Sequence, residues 1–444
     1  MDGVAKTTPI SDLKFSSVVP AKATGEDEVK ELTAMDLAMR LHYIRGVYFF
    51  RASEEVKNLT IYDLKKPLFL LLEKYYVVSG RIRRRIIGDN DGDRAFIKCN
   101  DSGVRIVEAD CEKTIEEWLS IEDDDDDKIL NRDGCLVHSQ AIGPDLGFSP
   151  LAFIQLTRFK CGGLSVGLSW THVLGDIFSA STFINVWGHI MNYRPLHQLR
   201  PAPATHIPPS TSSRLISTPP LKRLDPTGDL WIGSTDCKMA TRSFRIASEQ
   251  LDRITSVVGR NRSVNFSTFE SITAVFWKSL SKIRLEDSGS RTISIYSTKF
   301  PNREGEIPSN GMEMSGVEAD FPVAGAAEGE LAEVIVKKKI DEGGEIEELV
   351  ETKMNDSDFI AYGARLTFVD LEEADIYGFE LEGQKAVHVN YEIGGVGENG
   401  VVLVLPGPPR SDGRDGGGRT VTVILPEKEL PELIDEMVKQ WGIV

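Results

Sequence analysis

Residues 151–181 read LAFIQLTRFKCGGLSVGLSWTHVLGDIFSAS. Two apolar runs, LAFIQLTRF and LSVGLSW, flank Cys161-Gly162-Gly163. Apolar runs joined by a glycine turn predict a buried β-hairpin. The second run ends at His172, and Asp176 follows four residues later. Gly175, Ser179 and Ala180 keep the neighbourhood uncrowded, and Phe178, Phe183, Val186 and Trp187 then mark the buried side of a helix. The stretch therefore predicts strand, turn, strand, histidine loop and helix. An imidazole at such a passage can hold a pKa near neutrality and take a proton from a hydroxyl within hydrogen-bond reach. A working base needs its ring to face a cavity. Spacing alone leaves a second reading open, in which His172 and Asp176 only fold the turn.

Outward from this stretch, the chain alternates strands and helices. AMDLAMRLHYIRGVYFF (34–50) leads into a strand ending in aromatics, and Leu64 to Leu72 carry helical spacing up to a break at Ser79-Gly80. AFIKCNDSGVRIVEAD (95–110) reads as two strands joined by Asn100-Asp101-Ser102-Gly103, a turn-forming composition. Residues 193–226 hold eight prolines and little periodicity, as a linker between domains would. Beyond it, Ser267 or Thr268 can cap a helix through Phe276, Trp277 and Leu280. RTISIYSTKF (291–300) is a strand, Val401–Leu405 and Thr420–Leu425 form a hairpin, and a last helix turns Leu430, Leu433, Ile434 and Met437 inward. The pattern predicts an α/β or α+β protein of two similar-sized domains, residues 1–195 and 229–444, with 196–228 as crossover.

Composition removes several classes of function. The formal net charge is −17, unsuited to tracking a phosphate backbone or adhering to anionic lipid. Part of it lies in one run, Glu122 to Asp127, which reads as a solvated loop. Five scattered cysteines without a CxxC suggest neither a zinc site nor a disulfide framework. The histidines show no metal-ligand spacing. GxSxG occurs only at the start of the second apolar run, at Gly163–Gly167, and not at the strand-to-helix turn of a serine-hydrolase elbow, and no GxxxxGK[ST] or strand-to-helix GxGxxG is present. The N-terminus lacks the apolar core of a signal peptide, and no apolar stretch reaches membrane-spanning length. A cytosolic monomer is expected.

The motifs together resemble one family, the BAHD acyl-CoA-dependent acyltransferases of plants. The resemblance rests on YYVVSGR (75–81), NDSGVRIVEA (100–109), FKCGGLSVGLSWTHVLGD (159–176), FSTFESITAVFWKSL (266–280) and NYEIGGVGENGVVLVLP (390–406). It implies an α/β fold of two chloramphenicol-acetyltransferase-like domains, joined by a crossover loop, with a channel between them. It implies His172 as general base and Asp176 as its brace. It implies acyl-CoA as donor substrate and no metal or prosthetic group. The sequence also departs from the family. Ile177 replaces the glycine after the aspartate, and the second motif, DFGWG, is reduced to Asp375 followed by Ile376, Tyr377, Gly378 and Phe379. Leu366-Thr367-Phe368 stands where many members carry a Thr/Ser and Trp near the reacting centre, so Thr367, Phe368 and Asp375 are expected at the substrate channel. The triplet whose arginine pairs the HxxxD aspartate appears as Ser297-Thr298-Lys299, and lysine is a poorer planar partner.

These departures resemble the eceriferum-two and glossy-two branch of wax proteins, as do LTAMDLAMRLHYIRGVYFF (32–50) and YGARLTFVDLEEADIY (362–377). That resemblance implies help to the fatty-acid elongase condensing enzyme in making very-long-chain acyl-CoAs for cuticular wax. It implies a place at the endoplasmic reticulum, held through that partner. The alternative is an active O-acyltransferase with His172 as general base.

Overall fold

The computed structural model describes residues 9–87, 91–120, 132–193, 216–233, 237–260, 262–284, 291–353, 356–409 and 416–444. The acidic run and most of the crossover lie outside them. Two large sheets organise the described chain. In the first, the strands run in the order Ile10–Val18, Val104–Cys111, Ala152–Phe159, Leu164–Thr171, Tyr43–Phe50 and His388–Gly394. In the second, the order is Met239–Ile246, Arg419–Pro426, Val401–Pro406, Leu366–Asp370, Thr292–Ser297, Glu313–Glu318 and Ile340–Asp341.

The hairpin around Cys161-Gly162-Gly163 lies at the centre of the first sheet, with Arg158 opposite Leu164 and Ala152 opposite Trp170. All eight residues of Leu164–Thr171 are buried. A strand covered on both faces reads as a continuous apolar run rather than an alternation. The hairpin from Val401 to Pro426 likewise forms, Val401 facing Ile424. The strands on either side of Asn100–Gly103 form too, but they do not pair. Asp91–Lys98 joins a small separate sheet, whereas Val104–Cys111 runs parallel to Ala152–Phe159 in the large one.

Helix Ile177–Met191 starts where the Asp176 carboxylate accepts from Ser179 N, and twelve of its fifteen residues are buried. Phe178, Phe183, Val186 and Trp187 are all among them. Helix Ile61–Lys74 packs beside it, and the Trp187 indole donates to Leu64 O at 3.1 Å. In the second half, Ser267 caps helix Thr268–Ile283, and Leu430, Leu433 and Met437 are buried in the last helix, with Ile434 half-buried beside them.

The two halves are not closed off from one another. Strand His388–Gly394 belongs by sequence to 229–444 but pairs with Tyr43–Phe50 of the first sheet. One apolar core contains Trp170 and Phe183 from the first half with Tyr296, Tyr362, Phe379 and Tyr391 from the second. The chain just after the crossover is pinned to the first half. Trp231 is fully buried, its backbone N–H donates to Ile142 O at 2.9 Å, and Tyr43 Oη donates to its carbonyl at 2.7 Å. Strand His388–Gly394 thus lies across the expected boundary at 229 from the sheet it joins.

Cys99 and Cys111 are buried, Cys135, Cys161 and Cys237 are partly exposed, and all five are free thiols. No helix among the described residues is long and apolar enough to cross a membrane. No group of metal-ligating side chains occurs among them.

Candidate active site

His172 opens a short 3-10 turn directly after strand Leu164–Thr171. The following Gly175 is obligatory for packing. A Cβ there would lie 2.7 Å from Ser309 N and 2.8 Å from Ser309 O, closer than real Cβ atoms come. The gap admits a loop from the second half, residues 298–312, which lies directly over the histidine turn. Ser309 O accepts from Asp176 N at 3.1 Å, and Ser309 N donates to Ser179 Oγ at 3.1 Å. Lys30 Nζ donates to both Leu174 O and Pro308 O, at 3.1 and 2.9 Å, and so ties the two loops together.

This loop supplies Asn310, which fixes the state of the imidazole. Asn310 Nδ2 donates to Asp36 Oδ1 at 2.8 Å and to His172 O at 2.9 Å. Its amide oxygen is thereby the atom 2.9 Å from His172 Nδ1. An amide oxygen only accepts, so Nδ1 carries the proton and Nε2 is the bare nitrogen. Asp36 is itself held in the capping box of helix Ala34–Ala38. The imidazole is 1% exposed. Burial pushes its pKa down, against the opposing pull of Asp176, Asn310 and Asp36. It is therefore neutral at pH 7, the form a general base requires.

The lone pair on Nε2 is already used. Tyr362 Oη lies 3.0 Å from it. Burial, with the Tyr296 hydroxyl and Asp176 nearby, pushes the Tyr362 phenol well above its ordinary pKa, so the phenol keeps its proton and donates it to Nε2. Tyr362 is 1% exposed, and its ring meets those of His42 and Tyr296 at 5.0 Å each and that of His172 at 5.4 Å. Clefts elsewhere are lined by Lys222, Cys237 and Lys238, by Arg83, Arg84 and Asp145, by Phe15, His138 and Phe153, and by Arg262 and Phe321. None of these four includes His172 or Tyr362 in its lining. The open face that a working base needs is filled by a tyrosine.

Asp176 faces away from Nε2. Its oxygens accept from Ser179 N at 3.0 Å and Gly311 N at 2.9 Å. The cation beside it is not Lys299, which is 72% exposed at its side chain and pairs with Glu313 at 2.7 Å. Arg303 takes that place, with Nη2 3.5 Å from Asp176 Oδ2 and both side chains buried. The expectation of a weak lysine partner is corrected: the planar guanidinium is retained, four residues further on.

The three expected channel residues lie apart from the imidazole. Phe368 is fully buried in the core of the second half. Thr367 Oγ1 accepts from Gly363 N at 3.2 Å and so holds the turn that carries Tyr362. Asp375 accepts from Asn185 Nδ2 through its carbonyl, at 2.7 Å, which binds the loop to helix Ile177–Met191. Next to it, Phe379 stacks on Trp187 at 5.5 Å and meets Tyr48 and Phe50 edge-on at 5.4 Å. The altered second motif is an aromatic packing unit. Asn310, Arg303, Tyr362 and His42 were not visible in the sequence. Arg303 lies 127 residues from Asp176, Asn310 and Tyr362 lie 138 and 190 from His172, and His42 lies 319 from Ala361, so no local pattern marks them.

Comparison with known proteins agrees with this architecture. The Transferase family model matches residues 10–299. Protein ECERIFERUM 2 of Arabidopsis thaliana is 39% identical over 443 residues, spanning 97% of this chain and 98% of its own. Protein ECERIFERUM 26 of the same plant is 34% identical over 444 residues, spanning 98% and 97%. The crystal structure of vinorine synthase aligns with TM-score 0.68 at 18% identity, over 97% of this chain and 98% of its own, a likeness of fold alone. A family match over more than half the chain, and relatives aligned from end to end, place this protein in the Transferase family of BAHD acyl-CoA-dependent acyltransferases, in the branch that contains ECERIFERUM 2 and ECERIFERUM 26.

Proposed function

We propose that this protein promotes very-long-chain fatty acyl-CoA elongation for cuticular wax, beside the elongase condensing enzyme, without using His172 as a base. The observation that carries this reading is the hydrogen bond from Tyr362 Oη to His172 Nε2 at 3.0 Å, in a ring 1% exposed. A base whose lone pair holds a phenol proton in a closed site cannot accept one from an alcohol. The relatives aligned from end to end are ECERIFERUM proteins, which is why the reading is set in wax formation. Acyl-CoA is the substrate presented to the partner enzyme, and the partner supplies the place at the endoplasmic reticulum. Retention of His172, Asp176 and their braces is then structural: they join the histidine turn to loop 298–312.

A second reading is an acyl-CoA-dependent O-acyltransferase. The neutral imidazole with its proton on Nδ1 favours it. It requires the Tyr362 ring to leave its packed position in every turnover. Co-expression in yeast with a condensing enzyme separates the two. The His172→Asn variant is expected to extend acyl chains as the parent does. Loss of the longest chains at unchanged protein level would refute the proposal, because loss of a general base costs roughly 10²–10⁴ in rate.

A further inference from the structure

Tyr362 is held in place by the same residue that holds the base. The His42 ring accepts from Ala361 N at 3.0 Å and from Tyr362 N at 3.4 Å through Nε2, and its Nδ1–H reaches Gly394 O at 3.3 Å. Its own carbonyl accepts from His172 N at 3.1 Å. The turn is fixed on its other side by Gly363. That residue has φ +84°, and a Cβ there would lie 2.5 Å from Gly397 O. A phenol on such a turn is not a side chain that happens to swing near a histidine. Its oxygen occupies the position, one hydrogen bond from Nε2, where a base holds the hydroxyl it activates. Everything behind the base remains in order: Asn310 fixes the tautomer, and Arg303 and Asp176 hold the turn.

The geometry points to Tyr362 as an internal stand-in for an acceptor hydroxyl, which silences an otherwise complete base and whose removal opens a seat for a small alcohol beside His172 Nε2. The inference rests on the reading that the parent protein does not use His172. In the opened seat, the alcohol proton passes to Nε2 as the oxygen attacks the thioester carbonyl carbon. The C–O bond forms, the C–S bond breaks, and the leaving thiolate takes the proton from the imidazolium. The products are an ester and the free thiol of coenzyme A. Tyr296, whose ring lies 5.0 Å from that of Tyr362, offers a buried hydroxyl with no hydrogen-bond partner among the described residues.

The test uses the full chain with acetyl-CoA and ethanol, reading thiol release and ethyl acetate together. Tyr362→Ala is expected to raise ethanol-dependent transfer by about 10²-fold over the parent, the span of a general base. The gain should disappear in Tyr362→Ala/His172→Asn. Tyr362→Phe should stay at the parent level, because its ring still fills the seat. Diethyl pyrocarbonate footprinting supplies a readout independent of turnover. His172 should be protected in the parent and in Tyr362→Phe, and should react in Tyr362→Ala at least as fast as the partly exposed His189. A parent His172 that reacts as fast as His189 overturns the inference even if Tyr362→Ala does not fold. A folded Tyr362→Ala without His172-dependent gain overturns it too, and leaves the elongation reading untouched. His172-dependent transfer by the parent would instead overturn the elongation reading.

Discussion

Replacing Asn310 by alanine should loosen the histidine turn more than any other single change outside the apolar core. The amide makes three buried hydrogen bonds: to His172 Nδ1 at 2.9 Å, to His172 O at 2.9 Å and to Asp36 Oδ1 at 2.8 Å. The two neutral bonds are worth about 1 kcal/mol each and the bond to the carboxylate about 2 kcal/mol. Alanine leaves no group to replace them, so local opening should become easier by about 4 kcal/mol. That is roughly a 10³-fold increase in the open population. Hydrogen exchange read on peptides spanning 169–181 measures it where it arises, without assuming that both halves unfold together. Backbone amides of His172, Gly175 and Asp176, bonded to His42 O, His172 O and Ser309 O, should exchange faster by about that factor. Asn310→Asp should be worse still, since a second carboxylate then faces Asp36 in a buried site. An increase below about tenfold in Asn310→Ala would refute the wiring proposed for the site.

Three further outcomes follow from the same contacts. Arg303→Ala should destabilise the protein by about 3 kcal/mol, as breaking a buried pair does, whereas Lys299→Ala should shift the urea midpoint hardly at all; equal effects would mean that Asp176 is not braced by Arg303. Phe379→Ala should cost about 3–5 kcal/mol, because it empties the contact among Trp187, Tyr48 and Phe50; a melting temperature close to that of the parent would exclude a packing role for the altered second motif. His42 is buried and neutral, its pKa pushed down to about 3 from 6.5 chiefly by burial, and His172 is displaced in the same direction. The unfolded chain then binds more protons than the folded one below pH 6.5. The contribution of these rings is fully present above that pH and is lost as the pH falls toward 3, by about 2 kcal/mol for His42 at pH 5. Urea midpoints measured from pH 7 to 5 should fall, and His42→Gln should flatten the slope.

Local features were legible where one stretch of chain decides them. The hairpin before His172, the buried helix after it and the hairpin ending in Thr420–Leu425 each follow from apolar runs and turn residues. Pairing between distant strands was not legible. Asn100–Gly103 shows that the chain turns, but not that its two arms enter different sheets. At the site, His172 and Asp176 stand in one motif, and their type and spacing single them out. Tyr362 lies 190 residues from His172 and Asn310 lies 138 away. Their roles come from where two loops of the second half meet the first, which depends on the folded packing. Thr367 carries a partial signal: it lies near the right turn in sequence, yet it holds Gly363 and does not reach the imidazole.

The central claim is that the reactive nitrogen of His172 is occupied in the resting protein. Ring-nitrogen NMR of histidine-labelled protein tests it directly. The account predicts a His172 with its proton on Nδ1, a hydrogen-bonded Nε2 and a titration midpoint displaced below that of a free imidazole. A His172 that titrates at or above the free-imidazole midpoint, or that carries its proton on Nε2, would contradict it.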